Sequence, residues 1–207
     1  MQHLRLNLGC GNQTPDNWIN VDYALGSQLA KIPLFSLVNS QLKIFNLTWE
    51  ENIFIHDLRK IFPWSDNEID CIYSSHTLEH LSKDQGHYFL QECHRVLKQD
   101  GIIRIVVPDL KEFVECYTRG EMLAEDFVKK LGAWQESNHQ SSLKKIFQRF
   151  LSFPHQCMYD QASLMRIMSN IGFKCQIKNP FESEIDDIKI IELPDRTESA
   201  VIVEGKK

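Results

Sequence analysis

Apolar positions in this chain recur at two spacings. Leu4, Leu6 and Leu8 alternate with Arg5 and Asn7, a period of two that predicts a strand. The strand breaks at Gly9-Cys10-Gly11, a bend whose glycines can take positive φ and let the backbone approach a ligand closely. Further strands are predicted over 18–23, ending at Asp22; over 52–58, ending near Asp57; and over 69–75, running straight into His76-Thr77-Leu78-Glu79-His80-Leu81. A helix follows, with Ser82 as N-cap and Phe89, Leu90, Cys93, Val96 and Leu97 spaced at three and four. Gly101 is expected to close it as the residue after the C-cap. Ile102-Ile103-Arg104-Ile105-Val106-Val107 is β-branched and nearly all apolar, as in a strand covered on both faces.

Later segments complete the alternation. The stretch 110–156 is mainly helical and rich in aromatics. A helix over the 160s is stopped by Gly172, and strands are predicted over 173–177 and 199–205. No helix fits well between those last two strands, so they are expected to be antiparallel neighbours. The gap from Gly11 to Asp22 is too short for a full crossover helix, which implies a turn or two, or a loop. The region 24–51 has no clear period, and Pro33 interrupts any single helix. It is read as an elaboration over one sheet edge, a ligand cover or, by preference, packing.

Composition narrows the class. The 207 residues are 43% hydrophobic and 25% charged, with a net charge of −5, and suit one domain over 1–207. The acidic balance argues against a dedicated nucleic-acid partner. Six scattered cysteines without a C-x-x-C pair argue for reduced thiols. No apolar run approaches the ~18–20 residues that cross a membrane, and no signal peptide is visible. A cytoplasmic protein without a membrane partner is expected.

The chemistry gathers where strands end. A strand closed by a bare Gly-x-Gly bend, followed by a strand ending in a carboxylate, is how open α/β sheets bind a nucleotide, the acid accepting from the ribose hydroxyls. Asp22 is that acid, with a solvated strand-end carboxylate as the alternative. Asp57 is placed to read an adenine amino group or to cap the turn at Leu58-Arg59-Lys60. His76-x-x-Glu79-His80 matches the inverted zinc-protease pattern, but it sits at a strand-to-helix junction inside a nucleotide-binding sheet, so no metal is assigned.

Taken together, the chain resembles the class I S-adenosylmethionine-dependent methyltransferases, nearest to the small type 11 kind. The pieces that carry the resemblance are Leu6-Asn7-Leu8-Gly9-Cys10-Gly11, Trp18-Ile19-Asn20-Val21-Asp22, His56-Asp57-Leu58, the His76–Leu81 stretch, Glu92-Cys93-His94-Arg95-Val96-Leu97-Lys98, Gly101 through Asp109, and Ile171-Gly172-Phe173, in the family's order. The chain departs from the family at Gln99-Asp100-Gly101, where Pro-Gly-Gly is common, and in the apolar segment after Tyr23.

The resemblance implies a Rossmann-like, doubly wound seven-stranded sheet with its last strand antiparallel, and S-adenosylmethionine as cofactor. The aromatic-rich segment 110–157 is itself read as a helical insertion over the carboxyl edge that covers the substrate, with a core-packing crossover helix plus an extra helix as the alternative. Leu8, Gly9, Cys10, Gly11 and Asn12 would line the amino-acid part of the cofactor, Asp22 and Tyr23 the ribose, Asp57 and Leu58 the adenine, and Ser75, His76 and His80 the methionine end. His76, Asp109 and His155 are the candidate catalytic groups, with His80 and Tyr159 as further candidate bases. The expected activity is methyl transfer to a small acceptor, a sugar or glycan precursor among the candidates. A non-catalytic cofactor-binding module acting through a partner is the alternative.

Overall fold

The computed structural model describes residues 3–23, 52–132 and 154–207. The predicted cover over 24–51, and residues 133–153 of the predicted helical insertion, lie outside the described residues.

Strands β1 (Arg5–Leu8), β2 (Ile19–Asp22), β3 (Phe54–Ile55), β4 (Ile69–Ser75), β5 (Leu97–Pro108), β6 (Lys174–Ile177) and β7 (Ala200–Lys206) form one sheet in the order β3-β2-β1-β4-β5-β7-β6. The first five are parallel, and β7 runs antiparallel between β5 and β6. This is the Rossmann-like order with an antiparallel last strand. The strand order reverses beside β1, so the ends of β1 and β4 open a crevice at the carboxyl edge.

Both faces of the sheet are covered. On one face Leu6, Leu8 and Ile72 pack under helix α1 (Lys83–Val96) through Phe89, Leu90 and Cys93, and under α4 (Gln161–Ile171) through Leu164 and Met168. On the other, Trp18, Tyr73, Val106 and Ile202 pack with Ile188 and Ile191 of α5 (Ile188–Ile191), next to α6 (Pro194–Thr197). Helices α2 (Leu110–Thr118) and α3 (Ala124–Lys130) follow β5. Because both faces are covered, polar Asn7 of β1 is buried too. Asn7 satisfies its amide by donating to Gln13 O at 2.8 Å and Asn20 Oδ1 at 3.0 Å.

Ser82 caps α1 as expected and forms a reciprocal capping box with Gln85. The other end differs from expectation. The helix stops at Val96, and Leu97 to Gly101 already belongs to β5. Asp100 takes the positive φ of 65°, and Gly101 is needed for a different reason: a Cβ there would come 3.1 Å from the Asp70 carbonyl. β3 is shorter than its apolar run. The two short helices between β6 and β7 are too brief to leave a period in the sequence.

Candidate functional site

The crevice begins at the end of β1. The amides of Gly9 and Cys10 both donate to the Val21 carbonyl, at 2.8 and 3.1 Å, which folds the bend onto β2. Gly9 and Gly11 have φ of 74° and 55°. The Gly11 amide donates to Asp22 Oδ2 at 2.7 Å, so the second strand's carboxylate and the glycine bend form one unit. Asp22 is buried, Asn12 and Tyr23 are exposed beside it, and the Cys10 thiol is pushed up to about 12 by burial and then by the Asp22 charge. Leu8 turns its side chain into the core, and its carbonyl accepts from Ser74 Oγ at 2.9 Å.

The next strand end is tied to the same rim, because the His56 amide donates to the Asp22 carbonyl at 3.2 Å. Asp57 follows directly. Its carboxylate accepts from Arg59 Nε and Nη2 at 2.8 and 2.9 Å, and from the Arg59 amide at 3.1 Å. The Arg59 guanidinium therefore holds this carboxyl below the usual range. The turn-capping alternative for Asp57 is thus present in the structure, and Leu58 is buried in the core.

Past β4, Ser75 lies opposite Val106, and His76 turns the chain with a φ of 50°. The His76 ring reaches Arg196 O through Nε2 at 2.9 Å, and its Nδ1 lies 3.3 Å from Glu79 Oε1. Glu79 and His80 sit in the 3-10 turn Leu78–His80. The segment 155–157 is bound to that turn: the amides of Gln156 and Cys157 donate to the Glu79 carbonyl at 2.8 and 3.1 Å. His155 is thereby set against His80, ring centroids 4.9 Å apart, and burial lowers its pKa.

The structure thus brings together two groups of the expected residues. One is the glycine bend with Asp22 and the Asp57 turn; the other is His76, His80 and His155. Asp109 is the N-cap of α2, its carboxylate accepting from the Lys111 amide at 2.9 Å. Burial raises its pKa. Tyr159 is a poor base, because its phenol is buried in the core and its pKa is pushed upward by that burial.

Two residues of the site escaped the sequence reading. Thr77 packs against Gly9, where any Cβ would collide with its hydroxyl. Glu79 is completely buried. The pattern His76-x-x-Glu79-His80 was the only signal for the second, and nothing in the sequence marked the first.

Residues 6–105 match a family described as a methyltransferase domain. No match was found among curated protein sequences. Among solved structures, an S-adenosylmethionine-dependent methyltransferase from Archaeoglobus fulgidus is similar, with a TM-score of 0.51 and 14% identity, covering 99% of this chain and 86% of the other. A complex of the Haloferax volcanii Trm112 methyltransferase activator with its proposed methyltransferase is similar at a TM-score of 0.50 and 12% identity, covering 99% and 82%. At these identities the likeness shows the fold, and that fold agrees with the sheet order found here. Residues 6–105, just under half of the chain, are thus similar to the methyltransferase-domain family, and the fold of the solved structures agrees with that similarity.

Proposed function

We propose that this protein transfers the methyl group of S-adenosylmethionine to a small-molecule acceptor. S-adenosylmethionine is the cofactor, and when bound it supplies a methyl group already activated on a sulfonium. The observation that carries the reading is the link from the Gly11 amide to Asp22 Oδ2 at 2.7 Å. It fixes a ribose-reading carboxylate against a bend in which Gly11 has room: a Cβ there would meet nothing within 4 Å. Bend and carboxylate therefore suit the amino-acid part and the ribose of the cofactor, from Leu8 to Asn12 on one side and Asp22 with Tyr23 on the other.

In this reading Asp57 acts from a position fixed by Arg59, with Leu58 beneath the adenine and Ser75, His76 and His80 at the methionine end. The residues of the chain have three tasks: to orient the acceptor behind the methyl, to exclude water, and to take the acceptor's proton if it is a hydroxyl. His76, His155 and Asp109 are the groups proposed for the last task. His76 turns Nδ1 to the Glu79 carboxylate, and Nε2 becomes a proton acceptor once it leaves the Arg196 carbonyl. The segment 110–157 is proposed to cover the acceptor. A sugar or glycan precursor is the acceptor class to test first.

The test is transfer of a labelled methyl group from the cofactor to a panel of small acceptors that includes sugars. Label in one acceptor, with S-adenosylhomocysteine formed in equal amount, is expected. Tight cofactor binding without transfer to any member would favour a non-catalytic binding module instead.

A further inference from the structure

Glu79 poses a chemical problem that methyl transfer does not use. Its side chain is fully buried, and neither carboxylate oxygen accepts a hydrogen bond. A buried carboxylate whose near partner is one imidazole, His76 Nδ1 at 3.3 Å, is costly unless a further cation faces it. Two imidazoles point the same way. One donor atom each from Glu79, His80 and His155 lie within 4.8 Å of one another. His155 Nδ1 is also buried without a hydrogen-bond partner.

We propose that Glu79, His80 and His155 form a binding site for one divalent transition-metal ion of the zinc class. Two imidazole nitrogens and a carboxylate oxygen suit zinc and its neighbours, whereas magnesium and calcium prefer oxygen throughout. Three protein donors leave a fourth tetrahedral position for water or an acceptor oxygen.

The surrounding groups fit an outer shell. His76 Nδ1 lies 3.3 Å from Glu79 Oε1 and steadies the carboxylate. Gly132 closes the back, since a Cβ there would come 2.7 Å from His155 Cγ. The arrangement is not the inverted zinc-protease site. There both histidines of the motif bind the metal, but here His76 turns to the Arg196 carbonyl and the second imidazole comes from residue 155.

Zinc(II) alone, titrated into the metal-stripped protein, tests the site without reference to methyl transfer. Equilibrium dialysis with metal analysis should show one ion per chain. His155→Ala and Glu79→Gln should each weaken binding by about 100-fold or more, beyond the effect of losing an outer-shell partner. His87→Ala, which alters an exposed histidine elsewhere, should leave binding unchanged. Cobalt(II) added to the wild-type chain gives a readout that needs no variant, the visible absorption of a four- or five-coordinate nitrogen-bound ion. No retained ion, wild-type affinity in both variants, or a spectrum like that of the hydrated ion would overturn the proposal and leave Glu79 paired only with histidines.

Discussion

Gly9 and Gly11 share a left-handed backbone, yet a methyl group added to each meets different surroundings. At Gly9 it strikes Thr77; at Gly11 it enters open space. Gly9→Ala should therefore cost about 2–3 kcal/mol of folding stability without any ligand, measured by denaturant unfolding, because strain and collision add. Gly11→Ala should cost only about 1 kcal/mol from its backbone. Its main effect should be weaker binding of S-adenosylhomocysteine, read by calorimetry. At this scale Asp22 and the glycine bend were legible because strand ends and glycines signal themselves locally. Thr77 was not, because no local pattern says which distant side chain lies over a bend.

The element that carries most of one face is α1, and its two ends show where sequence patterns succeed and fail. The Ser82–Gln85 capping box was foreseen at Ser82, and Ser82→Ala should cost about 1 kcal/mol in the same unfolding measurement. The C-terminal boundary was missed because Lys98-Gln99-Asp100-Gly101 reads as a helix-ending turn, whereas β5 already begins at Leu97. Within α1, Glu92 accepts from the Phe62 amide at 2.7 Å and from Arg95 at 2.8 and 2.7 Å. Arg95 holds its carboxyl below the ordinary 4.5. A folded-state pKa lowered in this way gives stability that is present above the unfolded value and lost as pH falls through the folded one. The unfolding midpoint should thus fall on acidification below about pH 4.5, and Glu92→Gln should flatten that fall. The same variant should lower neutral stability by about 2 kcal/mol.

Across the whole molecule, the β/α alternation ending in a hairpin was legible in the strand-like and helix-like pieces, and the seven-stranded sheet with its antiparallel last strand followed from their resemblance to a known family. The centre of the β5 face did not. Arg104 reads as one charge in an apolar strand, but it is fully buried and paired with Glu192 at 2.9 Å and Glu204 at 2.8 Å. It also donates to the carbonyls of Asn179 and Glu182. The network joins β5 to β7 and to the segment 179–192, partners 75 to 100 residues further along the chain. Arg104→Leu leaves two buried carboxylates facing each other and should cost about 3–5 kcal/mol by denaturant unfolding, far more than an exposed arginine would. Ion pairs of this kind are invisible to periodicity, since each member looks like a surface residue until the sheet is assembled.

The claim on which the molecule's function rests is that the Gly11–Asp22 unit holds S-adenosylmethionine. Thermal melting with S-adenosylhomocysteine at about a hundredfold excess over its dissociation constant tests it most directly. Wild type should gain roughly 5–10 °C, since a ligand that binds only the folded chain stabilises it by about 2.7 kcal/mol at that excess. Asp22→Ala at the same concentration should gain less than about half of that. No shift in wild type, or an equal shift in Asp22→Ala, would contradict the account.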